Sequence, residues 1–104
     1  MSMEVQIYSF SVQNYQVSGF YTVEPYCNGF TVTNIGNTIV QVNDQIFYPG
    51  VIGVSLGDSR SFGGNQGEIY KGQIKVSFQF PLGTLPNIEV VQKIYILKAG
   101  LIKY

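Results

Sequence analysis

Ser59, Asp58 and Cys27 are the residues of this chain whose types could do covalent chemistry, and each lacks a necessary companion. Leu56-Gly57-Asp58-Ser59 follows a β-prone run, the setting in which a serine can be presented as a nucleophile. A serine nucleophile needs a general base, usually histidine, and the 104 residues include no histidine. Cys27 is the single cysteine, so no intramolecular disulfide can form. With no histidine and no run of basic residues beside it, nothing nearby in sequence lowers its pKa. It reads as a small hydrophobe in a core. One cysteine and no histidine disfavour zinc. The acids Glu4, Glu24, Asp44, Asp58, Glu68 and Glu89 are never closer than ten positions, which disfavours a calcium cluster or a paired-carboxylate glycosidase. Gly63-Gly-Asn-Gln-Gly67 lacks the Gly-Lys-Ser/Thr ending of a phosphate loop. We therefore expect a non-enzymatic protein with no catalytic residue, no metal and no cofactor.

What remains is a set of contact-forming residues. There are eight Tyr, seven Phe and twelve Gly, and only 12% of residues are charged, about half the usual ~25%. A weakly charged chain with many aromatics is poorly protected against association, so part of its surface is expected to be covered in its working state. Six basic and six acidic residues balance. Lys71, Lys75, Lys93, Lys98, Lys103 and Arg60 are scattered, so a nucleic-acid partner is not expected. No apolar run approaches the ~20 residues of a membrane span. Met1-Ser2-Met3-Glu4 lacks the start of a signal peptide, so synthesis in the cytoplasm is expected. The length suits one domain, 1–104, with a single core.

The periodicity is that of strands. Val5 and Ile7 share a face, then Tyr8, Phe10 and Val12 continue in the opposite phase, which suggests a bulge or bend near Ile7–Tyr8. Phe20 to Val23 is a short β-prone run. Phe30 and Val32, the turn Asn34-Ile-Gly-Asn37, and Val40 and Val42 predict a β-hairpin over 29–42. Asn43-Asp44 is a second turn, and Gln45 to Tyr48 a short strand ended by Pro49-Gly50. Val51 to Leu56 reads as a further short strand, and 57–67 as a Gly/Ser/Asn-rich loop. Ile74, Val76, Phe78 and Phe80 alternate with polar residues, as in a strand with one wet face. Ile88 to Leu97 is apolar on both faces, so it is central or covered by another subunit. The expectation is an all-β, antiparallel β-sandwich or jelly roll of roughly eight strands.

Two regions offer candidate interface residues. The 57–67 loop carries Arg60, Phe62 and Asn65, and Arg and aromatics dominate interface hot spots. The second apolar face of 88–97 carries Val91, Tyr95 and Leu97. The apolar tail 99–104, ending in Tyr104, is an edge strand, a loose end or an arm that docks on a neighbour.

Two resemblances bear on function. Gly57-Asp58-Ser59 is similar to the nucleophile block of SGNH-type hydrolases over three residues, but that family also requires a histidine and an α/β sheet. Asn34-Ile-Gly-Asn-Thr-Ile-Val-Gln-Val-Asn43, followed by Pro49-Gly50, resembles a pattern of small β-sandwich modules in bacterial surface and adhesion proteins and in bacteriophage virion proteins. Low charge, a single domain and the absence of an export signal favour the virion family. That resemblance implies a capsid, vertex or decoration subunit whose partners are other virion or assembly subunits and copies of itself. The alternative is a carbohydrate- or peptide-binding module that uses exposed Tyr and Asn side chains.

Overall fold

The computed structural model describes residues 8–51, 54–79 and 85–96. These form eight strands: β1 Tyr8–Tyr15, β2 Gly19–Thr22, β3 Cys27–Asn34, β4 Val40–Val42, β5 Gln45–Phe47, β6 Ser59–Gly63, β7 Gln73–Phe78 and β8 Ile88–Tyr95. No helix occurs among the described residues, and so none that is long and apolar enough to cross a membrane. The anticipated slip at Ile7–Tyr8 involves a residue outside them.

Two four-stranded sheets, ordered β1-β8-β3-β6 and β2-β7-β4-β5, hold all eight strands. Four antiparallel pairings, β1–β8, β2–β7, β3–β6 and β4–β5, are those of one long hairpin folded at the β4–β5 turn. The pairings β3–β8 and β4–β7 roll that hairpin into two layers. This is jelly-roll connectivity. The tip of the hairpin is Asn43-Asp44, where both residues have positive φ (46° and 68°). Two left-handed residues make a type I′ turn, whose twist matches that of the strands it joins. Asn43 is then held in place: its Oδ1 accepts from Lys75 N at 2.8 Å.

Alternation puts Ile74, Val76 and Phe78 of β7 and Val40 and Val42 of β4 against Phe30, Val32, Ile88 and Val90 of the facing sheet. Gln73, Lys75 and Ser77 point to water. Strand β8 is central, between β1 and β3, one of the two positions its apolar character left open. The one polar side chain on its core side, Gln92, is satisfied by accepting from Glu24 N at 2.7 Å.

Three expectations are corrected. Residues 29–42 are not a hairpin, because β3 and β4 belong to different sheets and face each other across the core. A hairpin and an inter-sheet crossover share the same apolar alternation, so periodicity cannot separate them. The buried side chain of Asn34 decides it. Its Nδ2 donates to Thr38 O (2.9 Å) and Phe47 O (3.2 Å), and its Oδ1 accepts from Gly36 N (3.2 Å). Gly36 passes so close to Leu85 O and Asn87 N that a Cβ would clash with them.

Residues 57–67 are not wholly a loop, since Ser59–Gly63 form β6 against β3. Ser and Gly content hid an edge strand whose inward positions are Arg60 and Phe62. Val51–Leu56 is not a strand. Val54 N and Ser55 N both donate to Val51 O, which closes a turn, and 52–53 lie outside the described residues.

Asn34→Ala is expected to destabilise the domain by about 3 kcal/mol, because two buried carbonyls lose their donor at ~1–3 kcal/mol each. Equilibrium urea unfolding measures this. A loss under ~1 kcal/mol would mean that water reaches those carbonyls.

Candidate interaction surfaces

Strand β6 lies at the sheet edge, and its alternation turns Arg60 and Phe62 inward. Phe62 is half-buried and stacks on Phe30, with ring centroids 5.0 Å apart. Phe47 lies 6.2 Å from Phe62 on the other side. The Arg60 guanidinium covers the Phe47 ring at 4.9 Å, and its Nη1 donates to Ile46 O at 2.7 Å. Asp58 lies 3.9 Å from Nη2 and accepts from Tyr48 N at 2.9 Å. Arg60 thus ties β6, the edge of one sheet, to β5, the edge of the other. Both residues anticipated as partner anchors have intramolecular partners.

Asn65 and Tyr95 meet at the opposite end through Asn28. The β3–β8 register shifts between Cys27 and Gly29, so Asn28 is the extra residue of a bulge and its side chain is re-aimed. Asn28 Nδ2 donates to Asn65 O (2.7 Å), Glu68 O (2.9 Å) and the Tyr95 hydroxyl (3.0 Å). Gly67 N also donates to that hydroxyl, at 2.9 Å. The Tyr95 ring lies 5.1 Å from Tyr8. The connection after β6 is therefore clamped to the body. Val91 is half-buried on the outer face of β8, opposite Val12 and Thr31. Leu97 and Tyr104 lie outside the described residues.

The candidate nucleophiles are engaged or covered. Ser59 Oγ pairs with Thr33 Oγ1 at 2.9 Å, as Ser61 does with Thr31. Cys27 is fully buried, with its thiol directed at Gly29 O at 3.3 Å. Burial pushes its pKa up, and Glu24 adds to the rise, while backbone hydrogen bonds at Gly29 and Lys93 oppose it. A buried thiol held protonated is a poor nucleophile. Among the described residues no three potential metal ligands cluster.

Two apolar surfaces stand out that the sequence did not announce. The first lies on the connections of one end. Residues 35–37 are hydrogen-bonded to 85–87, and Asp58 bridges to Asn34 and Tyr48. Val17, Ile35, Val54, Leu56 and Leu85 are all exposed there, Val54 and Leu56 at 81% each. A groove of about 530 Å³ lies among Val17, Ile35, Asn37 and Leu85. The second is the outer side of β1, where Phe10 and Val12 are 65% and 58% exposed.

No family model matches the chain, and no curated protein or solved structure is significantly similar to it. Function must therefore be argued from these surfaces.

Phe62→Ala should cost about 2 kcal/mol, below the 3–5 kcal/mol of a fully buried phenylalanine. Arg60→Ala should cost about 1–2 kcal/mol through the lost carbonyl hydrogen bond and ring contact. The half-exposed ion pair with Asp58 adds little. Arg60→Lys should recover only part, since an ammonium cannot both stack and reach the carbonyl. Thermal and urea unfolding read all three, and unchanged stability would mean the two sheet edges are not tied here. A thiol reagent at mildly alkaline pH should label Cys27 at the rate of domain opening and at once in denaturant. Rapid labelling of the folded chain would contradict the burial of Cys27.

Proposed function

We propose that this chain is a non-enzymatic structural subunit of a virus particle, of the kind that forms a capsid, vertex or decoration protein of a bacteriophage. The observation that carries the reading is the crowding of exposed aliphatic side chains onto the connections of one end of the sandwich. Scattered surface hydrophobes are ordinary, but a contiguous group of this size marks a contact surface. Val17, Ile35 and Leu85 line a groove, and the 54–56 turn adds Val54 and Leu56, each 81% exposed, so one subunit offers both a recess and exposed aliphatic side chains to fill one. Burying such residues at about 25 cal/mol per Å² supplies association energy without chemistry. A protrusion that fills the recess of the next copy makes a head-to-tail contact, which closes into a ring or shell.

The fold supports this reading by analogy. Jelly rolls of two four-stranded sheets recur in viral capsid domains, and also in lectins and cupins. Synthesis in the cytoplasm followed by residence in the virion fits the same reading.

A carbohydrate- or peptide-binding module is the second reading. It is favoured by the outer face of the β1-β8-β3-β6 sheet. There Phe10 is exposed, Lys93 sits 4.0 Å over the Tyr8 ring, and the Thr31–Ser61 and Thr33–Ser59 hydroxyl pairs lie alongside. Rings next to hydroxyls suit a sugar or an extended peptide.

The test is light scattering of the wild type and of the double variant Val54→Lys/Leu56→Lys. The assembly reading expects a defined oligomer larger than a dimer for the wild type. The double variant should have a smaller mass and an unchanged melting temperature. A wild type that never exceeds a dimer and shows saturable tyrosine fluorescence changes with a glycan would favour the second reading.

A further inference from the structure

We propose that the outward edge of β1 pairs antiparallel with β1 of a second copy of this chain, about a two-fold axis through Ser11. The two β1-β8-β3-β6 sheets then run on as one. Of the four strands at sheet edges, β1, β2, β5 and β6, β1 is the long one, and among the described residues no strand pairs with its outward side along 9–15. Natural edges are blunted by short length, charge, proline or bulges. Strands β2 and β5 have four and three residues. Strand β6 carries Arg60 and is closed against Ile46 O. Strand β1 is eight residues of Tyr, Ser, Phe, Val, Gln and Asn, with no charge, glycine or proline. It is fully in register with β8 on its other side and shows no bulge.

The occupant follows from the pattern of β1 itself. Its pairing with β8 puts Tyr8, Phe10, Val12 and Asn14 on the outer face with Lys93 and Val91, and Ser9, Ser11 and Gln13 on the inner face. Directly opposed residues of an antiparallel pair share a face. A continuous sheet must therefore oppose outer residues to outer residues. Centring the axis on Ser11 does so: Phe10 of each copy meets Val12 of the other, Ser9 meets Gln13, and Tyr8 meets Asn14. The two apolar residues of the outer face oppose each other, so the Phe–Val pair occurs twice, the serines and glutamines meet on the inner face, and Tyr8 and Asn14 close the ends. Centring on Val12 instead would oppose Phe10 to Asn14. The exposure of Phe10 and Val12 is thus relieved by a second β1, with no other chemistry required. The inference does not rest on the virion reading, since a binding module could dimerise by the same edge.

Sedimentation velocity across a concentration range tests it on the full chain. With the loop contact removed by Val54→Lys/Leu56→Lys, the chain should still pass from monomer to dimer with rising concentration. Val12→Lys should raise the midpoint by about tenfold or more, because two apolar pairs are lost at once. Its melting temperature should stay unchanged, because Val12 is exposed. Ser11→Cys should form a disulfide dimer under mild oxidation, since residues opposed across a two-fold axis lie within bridging distance. Buried Cys27 leaves little background. A wild type that is monomeric at every concentration, or a dimer indifferent to Val12→Lys, would overturn the proposal. So would cross-linking of Val12→Cys but not Ser11→Cys. An oligomer lost in Val54→Lys/Leu56→Lys but kept in Val12→Lys would place association at the loops instead.

Discussion

The burial of Asn34 is the constraint on which this roll depends. An amide with no access to water must find its partners within the protein. Asn34 finds three of them on the backbone: Gly36 and Thr38 of its own crossover, and Phe47 at the end of β5. Its main-chain N–H adds a fourth, Asp58 O, just before β6. Those bonds fix where the chain leaves one sheet and enters the other. With that corner set, β4 lands beside β7, β5 folds back through the I′ turn, and β6 returns to the free side of β3. The close approach of Gly36 to 85–87 belongs to the same corner, since any side chain there would push the crossover away.

The two long sides of the sandwich are finished differently, and so are its two ends. On one side Arg60 and Asp58 tie β6 to the β5 edge and shield Phe47. On the other side, among the described residues, β1 and β2 are joined by the stack of Tyr15 on Tyr21 at 3.8 Å rather than by an ion pair. One end is polar and clamped, with Asn28 and Tyr95 holding the connection after β6. The other end presents aliphatic side chains to water. A domain so unevenly finished has surfaces that differ sharply in their tendency to associate, while its groups capable of covalent chemistry are buried or hydrogen-bonded.

The elements most legible in the sequence were those set by local chemistry. The alternation of β7, the two-residue turn at Asn43-Asp44 and the short β5 before Pro49-Gly50 all follow from side-chain period and turn preference. The misread elements share one cause. The 29–42 hairpin, the 57–67 loop and the 51–56 strand each rest on local alternation or composition, whereas their state depends on a distant partner. Strand β6 is a strand only because β3 offers it an edge. Residues 54–56 are not in a strand, because the backbone there closes a turn onto Val51. The inward direction of Arg60 and Phe62 has the same origin: arginine and an aromatic in a Gly-rich stretch carry no mark of which way they face.

By itself the sequence determined the class of object: an all-β chain of short strands, with no histidine and one cysteine, able to form a single core. Tertiary structure alone decided which strands lie side by side and which face each other. It also decided which exposed-looking residues turn inward and which apolar ones stay outside. The reason is physical. Side-chain period and turn geometry are local, acting over a few residues. Sheet membership, edge position and burial are set by contacts between segments far apart in the chain, such as Asn34 with Phe47, Arg60 with Ile46 and Asn28 with Tyr95, and no local pattern encodes those partners.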